Sequence, residues 1–145
     1  MKKIFSLTIS ILFLIFACTA CSTQPQIELN AETTNREVVL GDTFVVRVYT
    51  KNVGDDYHYR GSSTKIGAGA RIFIQTDVGE QYLDHDPIAV SDDVADNVFA
   101  HGELIEYDWI FHTDGQETLT GTYHLSLTFL DEEKVISDFI TIIDN

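Results

Sequence analysis

An all-β chain, folded as a sandwich of about seven or eight short antiparallel strands, is the fold class this sequence predicts, and three observations predict it. From Ile27 onward apolar and polar residues alternate with period two, which sets one group of side chains on each face of a pleated strand. Over the same stretch no segment repeats its apolar residues at the spacing of a helix face. The runs are short and are separated by glycine, aspartate and asparagine, with only 2 prolines against 9 glycines in 145 residues. Gly41-Asp42, Asn52-Val53-Gly54-Asp55 and Asp114-Gly115 therefore read as turns.

The first element is not a strand. Met1-Lys2-Lys3 is cationic, and Ile4 to Ala17 is a nearly unbroken apolar run of fourteen residues. A bilayer-spanning helix needs about 20 apolar residues, so residues 1–17 read as a secretory signal peptide. A buried core helix would carry a polar face, and only Ser6, Thr8 and Ser10 interrupt this run. Both cysteines of the chain, Cys18 and Cys21, follow at once, where neither can staple the folded part. Leu14-Ile15-Phe16-Ala17-Cys18 resembles a bacterial lipobox, with a small residue before the cysteine. That resemblance implies cleavage ahead of Cys18, a diacylglycerol on its thiol and a fatty acyl chain such as palmitate; Cys21, preceded by Ala20, is the alternative. Each buried methylene adds about 0.8 kcal/mol of membrane affinity, and two or more chains hold a protein stably. The expected location is thus the extracytoplasmic face of the cell membrane. Residues 18–26 are the lipidated N-terminus and a polar tether that reaches at most about 30 Å, and residues 27–145 are the folded domain.

Within that domain, Thr43 to Thr50 sets Phe44, Val46 and Val48 on one face and Arg47 and Tyr49 on the other. Ala70 to Thr76 contains Ile72 and Ile74, and Asp77-Val78-Gly79-Glu80 turns it into Gln81 to Asp84. Leu104 to His112 places Ile105, Tyr107, Trp109 and Phe111 inward, with Glu106, Asp108 and His112 outward. Thr122 to Phe129 buries Tyr123, Leu125, Leu127 and Phe129, and Val135 to Ile143 adds Ile136, Ile140 and Ile142 with Asp138 outside. Leu119-Thr120-Gly121-Thr122-Tyr123, just ahead of a strand, has the form of a tyrosine corner, in which the hydroxyl bonds a nearby backbone.

The order of these phrases is similar to the BsuPI-type proteinase-inhibitor domain, an immunoglobulin-like sandwich. The resemblance runs over roughly residues 38 to 130, through Lys51-Asn52-Val53-Gly54, Gly61-Ser62-Ser63, His101-Gly102-Glu103, Trp109 and Gly121-Thr122-Tyr123. His101 and Thr120 stand where the family pattern has proline. The resemblance implies the immunoglobulin-like fold and, as an alternative activity, inhibition of a protease at the cell surface.

Charge excludes one class of partner. The chain carries 9 Lys and Arg against 23 Asp and Glu, a net of −14, and without Lys2 and Lys3 the remainder has 7 against 23, a net of −16. Nucleic-acid binding rests on Lys and Arg neutralising phosphates, so nucleic acid is not an expected partner. Catalysis finds little material. Both thiols lie in the signal junction, Ser62 and Ser63 lack a nucleophile elbow, and His58, His85, His101, His112 and His124 are scattered without metal-ligand spacing. His112 and His124 alternate with core residues, and they would offer a metal two ligands if their strands were neighbours. The expectation is a protein that is not an enzyme and has no resident cofactor.

Two segments concentrate features that a binding module needs. Asp84, Asp86, Asp92, Asp93 and Asp96 fall within thirteen positions between the strands read above. Calcium takes six to eight oxygen ligands from such loops, although the spacing is not that of an EF-hand, so a calcium site on these five is one expectation. Gly61 to Ala70 is rich in glycine and small residues, with Lys65 and Ile66 at its centre as an exposed pair for a protein partner, which under the inhibitor resemblance is a protease. A non-catalytic protein-binding or adaptor module is the function these readings favour.

Overall fold

The computed structural model describes residues 26–144. The signal segment and both candidate lipid-bearing cysteines, Cys18 and Cys21, lie outside the described residues. Eleven strands are present among those residues: β1 (Ile27–Thr33), β2 (Glu37–Val39), β3 (Thr43–Asn52), β4 (Tyr57–Ser62), β5 (Gly69–Thr76), β6 (Gly79–Tyr82), β7 (Asp84–His85), β8 (Val94–Phe99), β9 (Leu104–His112), β10 (Gly121–Phe129) and β11 (Glu132–Ile143). One sheet has the order β1-β3-β9-β7, the other β2-β11-β10-β5-β6, and β4 and β8 pair with each other as a separate ribbon. Neighbours run antiparallel except β2 and β11, which are parallel. With β1, β3, β9 and β7 as strands A, B, E and D, and β5, β10 and β11 as C, F and G, this is the order of an immunoglobulin-type sandwich.

The count exceeds the seven or eight strands expected because β2 has three residues and β7 two, and because β8 falls in the stretch read as an acidic loop. Pieces that short carry no measurable alternation. The long strands behave as their sequences dictate. Phe44, Val46 and Val48 of β3, Trp109 and Phe111 of β9, and Tyr123, Leu125 and Leu127 of β10 all enter one core with Ile72, Ile140 and Ile142. Each such side chain gains about 1.5–3 kcal/mol on leaving water, so the two inner faces hold the sheets together.

Alternation fails once, in β11. Tyr123 pairs with Ile140 but Leu125 pairs with Ile136, so β11 carries extra residues opposite His124. The bulge is closed by Asp138, whose φ is 51° and whose N–H donates to His124 Nδ1 at 3.2 Å. It returns Phe139 and Ile140 side by side to the interior and leaves Asp138 outside.

The expected tyrosine corner is present. Tyr123 Oη donates to the Leu119 carbonyl at 2.8 Å and accepts the Leu119 N–H at 3.1 Å. Both bonds tie the connection from β9 to the start of β10. Gly121 makes the approach possible, since its φ is 142° and a Cβ there would sit 3.0 Å from Ile74 Cδ1. Tyr123→Phe leaves the Leu119 backbone groups without their partner and is expected to lower stability by about 1–3 kcal/mol. Urea unfolding followed by Trp109 fluorescence measures this, and an unchanged midpoint contradicts it.

Candidate functional site

The two segments singled out in the sequence are brought against each other. Tyr57 to Ser62 pairs in register with Phe99 to Val94, Arg60 standing opposite Asp96. Past the ladder, the Ser63 N–H donates to the Asp93 carbonyl at 3.0 Å and Ser62 Oγ donates to the Ser91 carbonyl at 2.7 Å. Asn97 Nδ2 donates to the Ser62 carbonyl at 3.0 Å, and the Ser91 N–H donates to Thr64 Oγ1 at 3.1 Å. The inner side of the ribbon carries Tyr57 and Tyr59, stacked at 6.0 Å, together with Asn97 and Phe99. Phe99 is fully buried and meets Phe129 at 5.6 Å. The outer side carries His58, Arg60, Val94, Asp96 and Val98, all exposed.

The base of the ribbon is a polar knot around Asn52, the last residue of β3, which is fully buried. Asn52 Nδ2 donates to the Phe99 carbonyl at 2.7 Å and the Asp55 carbonyl at 2.8 Å, and Oδ1 accepts the Gly54 N–H at 3.0 Å. Its backbone N–H donates to the Glu103 carbonyl and its own carbonyl accepts the Gly102 N–H at 2.7 Å. One residue thus satisfies the end of β3, the turn after it, the end of β8 and the approach to β9. The described chain starts at the same place: the Gln26 carbonyl accepts the N–H groups of Val53 and Gly54 at 2.9 and 3.2 Å. Gly54 is needed there, because a Cβ would lie 2.8 Å from Gln26 N. His101 completes the knot, its Nδ1 donating to the Gly54 carbonyl at 2.6 Å and its N–H to Asp56 Oδ1 at 2.7 Å.

Lys65 does not stand free as the sequence suggested. Its Nζ donates to the Val98 carbonyl at 2.6 Å and to Glu103 Oε1 at 2.8 Å, and both it and Ile66 are half-buried. The ammonium is held by the ribbon and by the turn ahead of β9 together, so Lys65 is engaged within the fold. The Lys65 hydrogen bond, with a second from the Ala100 N–H, holds the Glu103 carboxyl below its ordinary range. The outer face of the first sheet has a comparable pair, Arg47 and Asp108, bidentate at 2.7 and 2.9 Å, which keeps the Asp108 carboxyl low.

The five aspartates do not form the expected calcium site. Asp84 lies in β7 and Asp96 in β8, so the acids are not all in a loop, and Asp86 is engaged by His112 Nε2 at 2.6 Å. Asp92 and Asp93 are exposed beside the ribbon. Among the described residues no three His, Cys, Asp or Glu side chains converge as a metal would require. Density along the sequence reflected a chain that crosses from the first sheet to the ribbon, not a shared cavity. His112 and His124 belong to different sheets, so their strands are not neighbours.

Sequence reasoning passed over Asn52 and Glu103. Asn52 two places before Gly54 was visible as an Asx turn, but nothing local marks it as buried. Glu103 is tied to a lysine 38 residues away, a distance that no spacing rule bridges.

Two outcomes follow from this knot. Asn52→Ala strands the Phe99 and Asp55 carbonyls in the interior and is expected to cost about 2–4 kcal/mol, read by thermal unfolding, with faster amide exchange in Tyr57–Ser62; slow exchange there contradicts it. Because Glu103 has a lower pKa folded than unfolded, its contribution is fully present above the ordinary glutamate pKa and is lost as pH falls through the folded value. The stability gap between wild type and Glu103→Gln is therefore expected to hold from neutral pH down to the ordinary glutamate pKa and to shrink as pH falls below it, and a gap that stays constant sinks the assignment.

No protein-family model and no curated protein matches the sequence. Among solved structures, the chain is similar to a β-glucosidase from Listeria innocua in complex with glucose, at 12% identity, with 81% of this chain and 16% of that chain covered and a TM-score of 0.47. It is also similar to the β-glucosidase EmGH1 from Erythrobacter marinus, at 10% identity, 82% and 16% coverage and a TM-score of 0.47. The chain spans about one-sixth of the length of these enzymes, and no glycosidase chemistry is carried over from them.

Proposed function

We propose that this chain is a lipid-anchored extracytoplasmic protein whose sandwich is a non-catalytic protein-binding module, with the β4–β8 ribbon as its contact surface. The observation that carries this reading is the exposed outer side of the ribbon. Its inner side packs on the sandwich through Phe99 and Phe129, yet no core residue depends on His58, Arg60 or Val94, the last 63% exposed. An arginine beside aliphatic side chains, on the exposed side of a strand pair, is the kind of surface protein interfaces use. The Ser62 hydroxyl is committed to a carbonyl, and both thiols precede the domain, which supports a role without catalysis. Anchoring through Cys18, or Cys21, rests on the lipobox-like junction. Protease inhibition rests on the family resemblance alone.

The test is affinity capture from crosslinked cells with the full chain and with Arg60→Glu combined with Val94→Ser. Both positions are exposed, so the double variant is expected to fold and melt as wild type does. Proteins enriched by the wild type are expected to fall at least tenfold with the variant. Equal enrichment by both removes the ribbon as the contact surface.

A further inference from the structure

The hydrogen bonds made by histidine rings divide by the chemistry of the partner. His85 Nδ1 faces the Asp86 carbonyl, His101 Nδ1 the Gly54 carbonyl and His112 Nε2 the Asp86 carboxylate. An oxygen acceptor needs an N–H, so each of those nitrogens donates, and a second proton on the ring leaves the bond in place. His124 is the opposite case. Its Nδ1 lies 3.2 Å from the backbone nitrogen of Asp138, a group that can only donate. That Nδ1 is therefore bare, and the neutral ring carries its proton on Nε2.

The bond closes the bulge in β11. Asp138 stands there with a φ of 51°, a left-handed backbone that aspartate adopts more readily than most residues. Its side chain is 78% exposed, and its Oδ1 is 4.0 Å from the same Nδ1. A proton arriving from solvent on Nδ1 sets a donor against a donor, so the bond from the Asp138 N–H breaks. The same proton makes the ring a cation beside a mobile carboxylate, which then accepts a charge-assisted hydrogen bond.

The charged and titratable groups around the ring come from the strands packed beside it. On β11 they are Asp138 and Glu133, whose Oε1 accepts the Ser126 hydroxyl at 3.1 Å. On β5, Phe73 packs on His124 at 5.5 Å, and Arg71 stands opposite Ser126, two residues along. On β6, Tyr82 meets Phe73 at 5.9 Å and its hydroxyl bonds Glu80. Glu133 and Glu80 thus already hold hydroxyl partners, and Asp138 is the carboxylate that faces the ring.

We infer that His124 is a proton-operated latch on the β11 bulge: neutral, its Nδ1 holds the Asp138 N–H; protonated, it releases that N–H and draws in the Asp138 carboxylate. The sandwich stays folded in both states, because Phe139 and Ile140 are buried beyond the latch and Ile140 keeps its pairing with Tyr123. The change is confined to one patch of the second sheet, where a positive charge joins the row of Tyr82, Phe73 and His124 and the backbone at Asp138 is freed. The inference rests neither on the lipid anchor nor on the ribbon.

NMR of the isotope-labelled full-length chain in detergent micelles tests it, between about pH 8 and pH 5, the span in which histidine ordinarily changes charge. At the upper end the ring nitrogens of His124 are expected to report a proton on Nε2 and none on Nδ1. As the ring takes its second proton, the Asp138 amide and carboxyl resonances are expected to move in step with it. Exchange of that amide, corrected for the intrinsic effect of pH, is expected to quicken at least about tenfold. A neutral ring protonated on Nδ1, or an Asp138 amide or carboxyl that ignores the ring's titration, overturns the inference. His124→Gln offers the N–H an acceptor oxygen that pH does not alter, so protection of Asp138 is expected to stay constant over the same span. A pH response that persists in this variant also overturns the latch, and the wild-type spectra decide alone if the variant does not fold.

Discussion

Asn52 is the constraint on which the rest of this molecule leans. A sandwich of two sheets is held by its apolar inner faces, but those faces do not decide how four chain segments meet at one end. Here a single buried amide does so, with its donors on Phe99 and Asp55 and its acceptor on Gly54. Buried polar groups are costly unless matched, and each carbonyl named in the knot is met by at least one donor. The arrangement is specific because few alternatives satisfy so many groups at once.

The opposite end is governed by different chemistry. There the tyrosine corner fastens the start of β10, and Thr113 bonds the carbonyls of Val39 and Asp42 through its hydroxyl. These contacts fix turns without lifting any element off the sheets. Among the described residues, only at the Asn52 end does the chain form a ribbon apart from the two sheets, and its outer side chains contribute nothing to the core. That difference is the reason to look for function at one end rather than along either sheet face.

Legibility in the sequence followed the same divide. The strands β3, β9 and β10 were readable because a residue facing the core is apolar almost without exception, as in Phe44-Val45-Val46-Arg47-Val48. The tyrosine corner was readable because its partners are four residues apart. The ribbon was only half visible. Tyr57-His58-Tyr59 alternates as a strand does, while Asp92 to Asn97 reads as an acidic loop, since its inner residues, Ala95 and Asn97, are small or polar. Whether five aspartates converge, or whether Lys65 is free, depends on where distant segments land, and composition holds no such information.

The pairing of β1 with β3 has a mechanical meaning. The ladder runs from Ile27 opposite Asn52 to Thr33 opposite Val46, and a chain held by its N-terminus is loaded at the Gln26 side. Tension directed away from the sheet reaches the bonds from Val53 and Gly54 to Gln26 first, then the rungs one after another, so β1 peels rather than shears. A peeling strand yields at low force and re-forms easily. Under such a pull β1 would release up to about 25 Å of chain and draw Leu29 out of the core, while the knot at Asn52 still closes the end of β3.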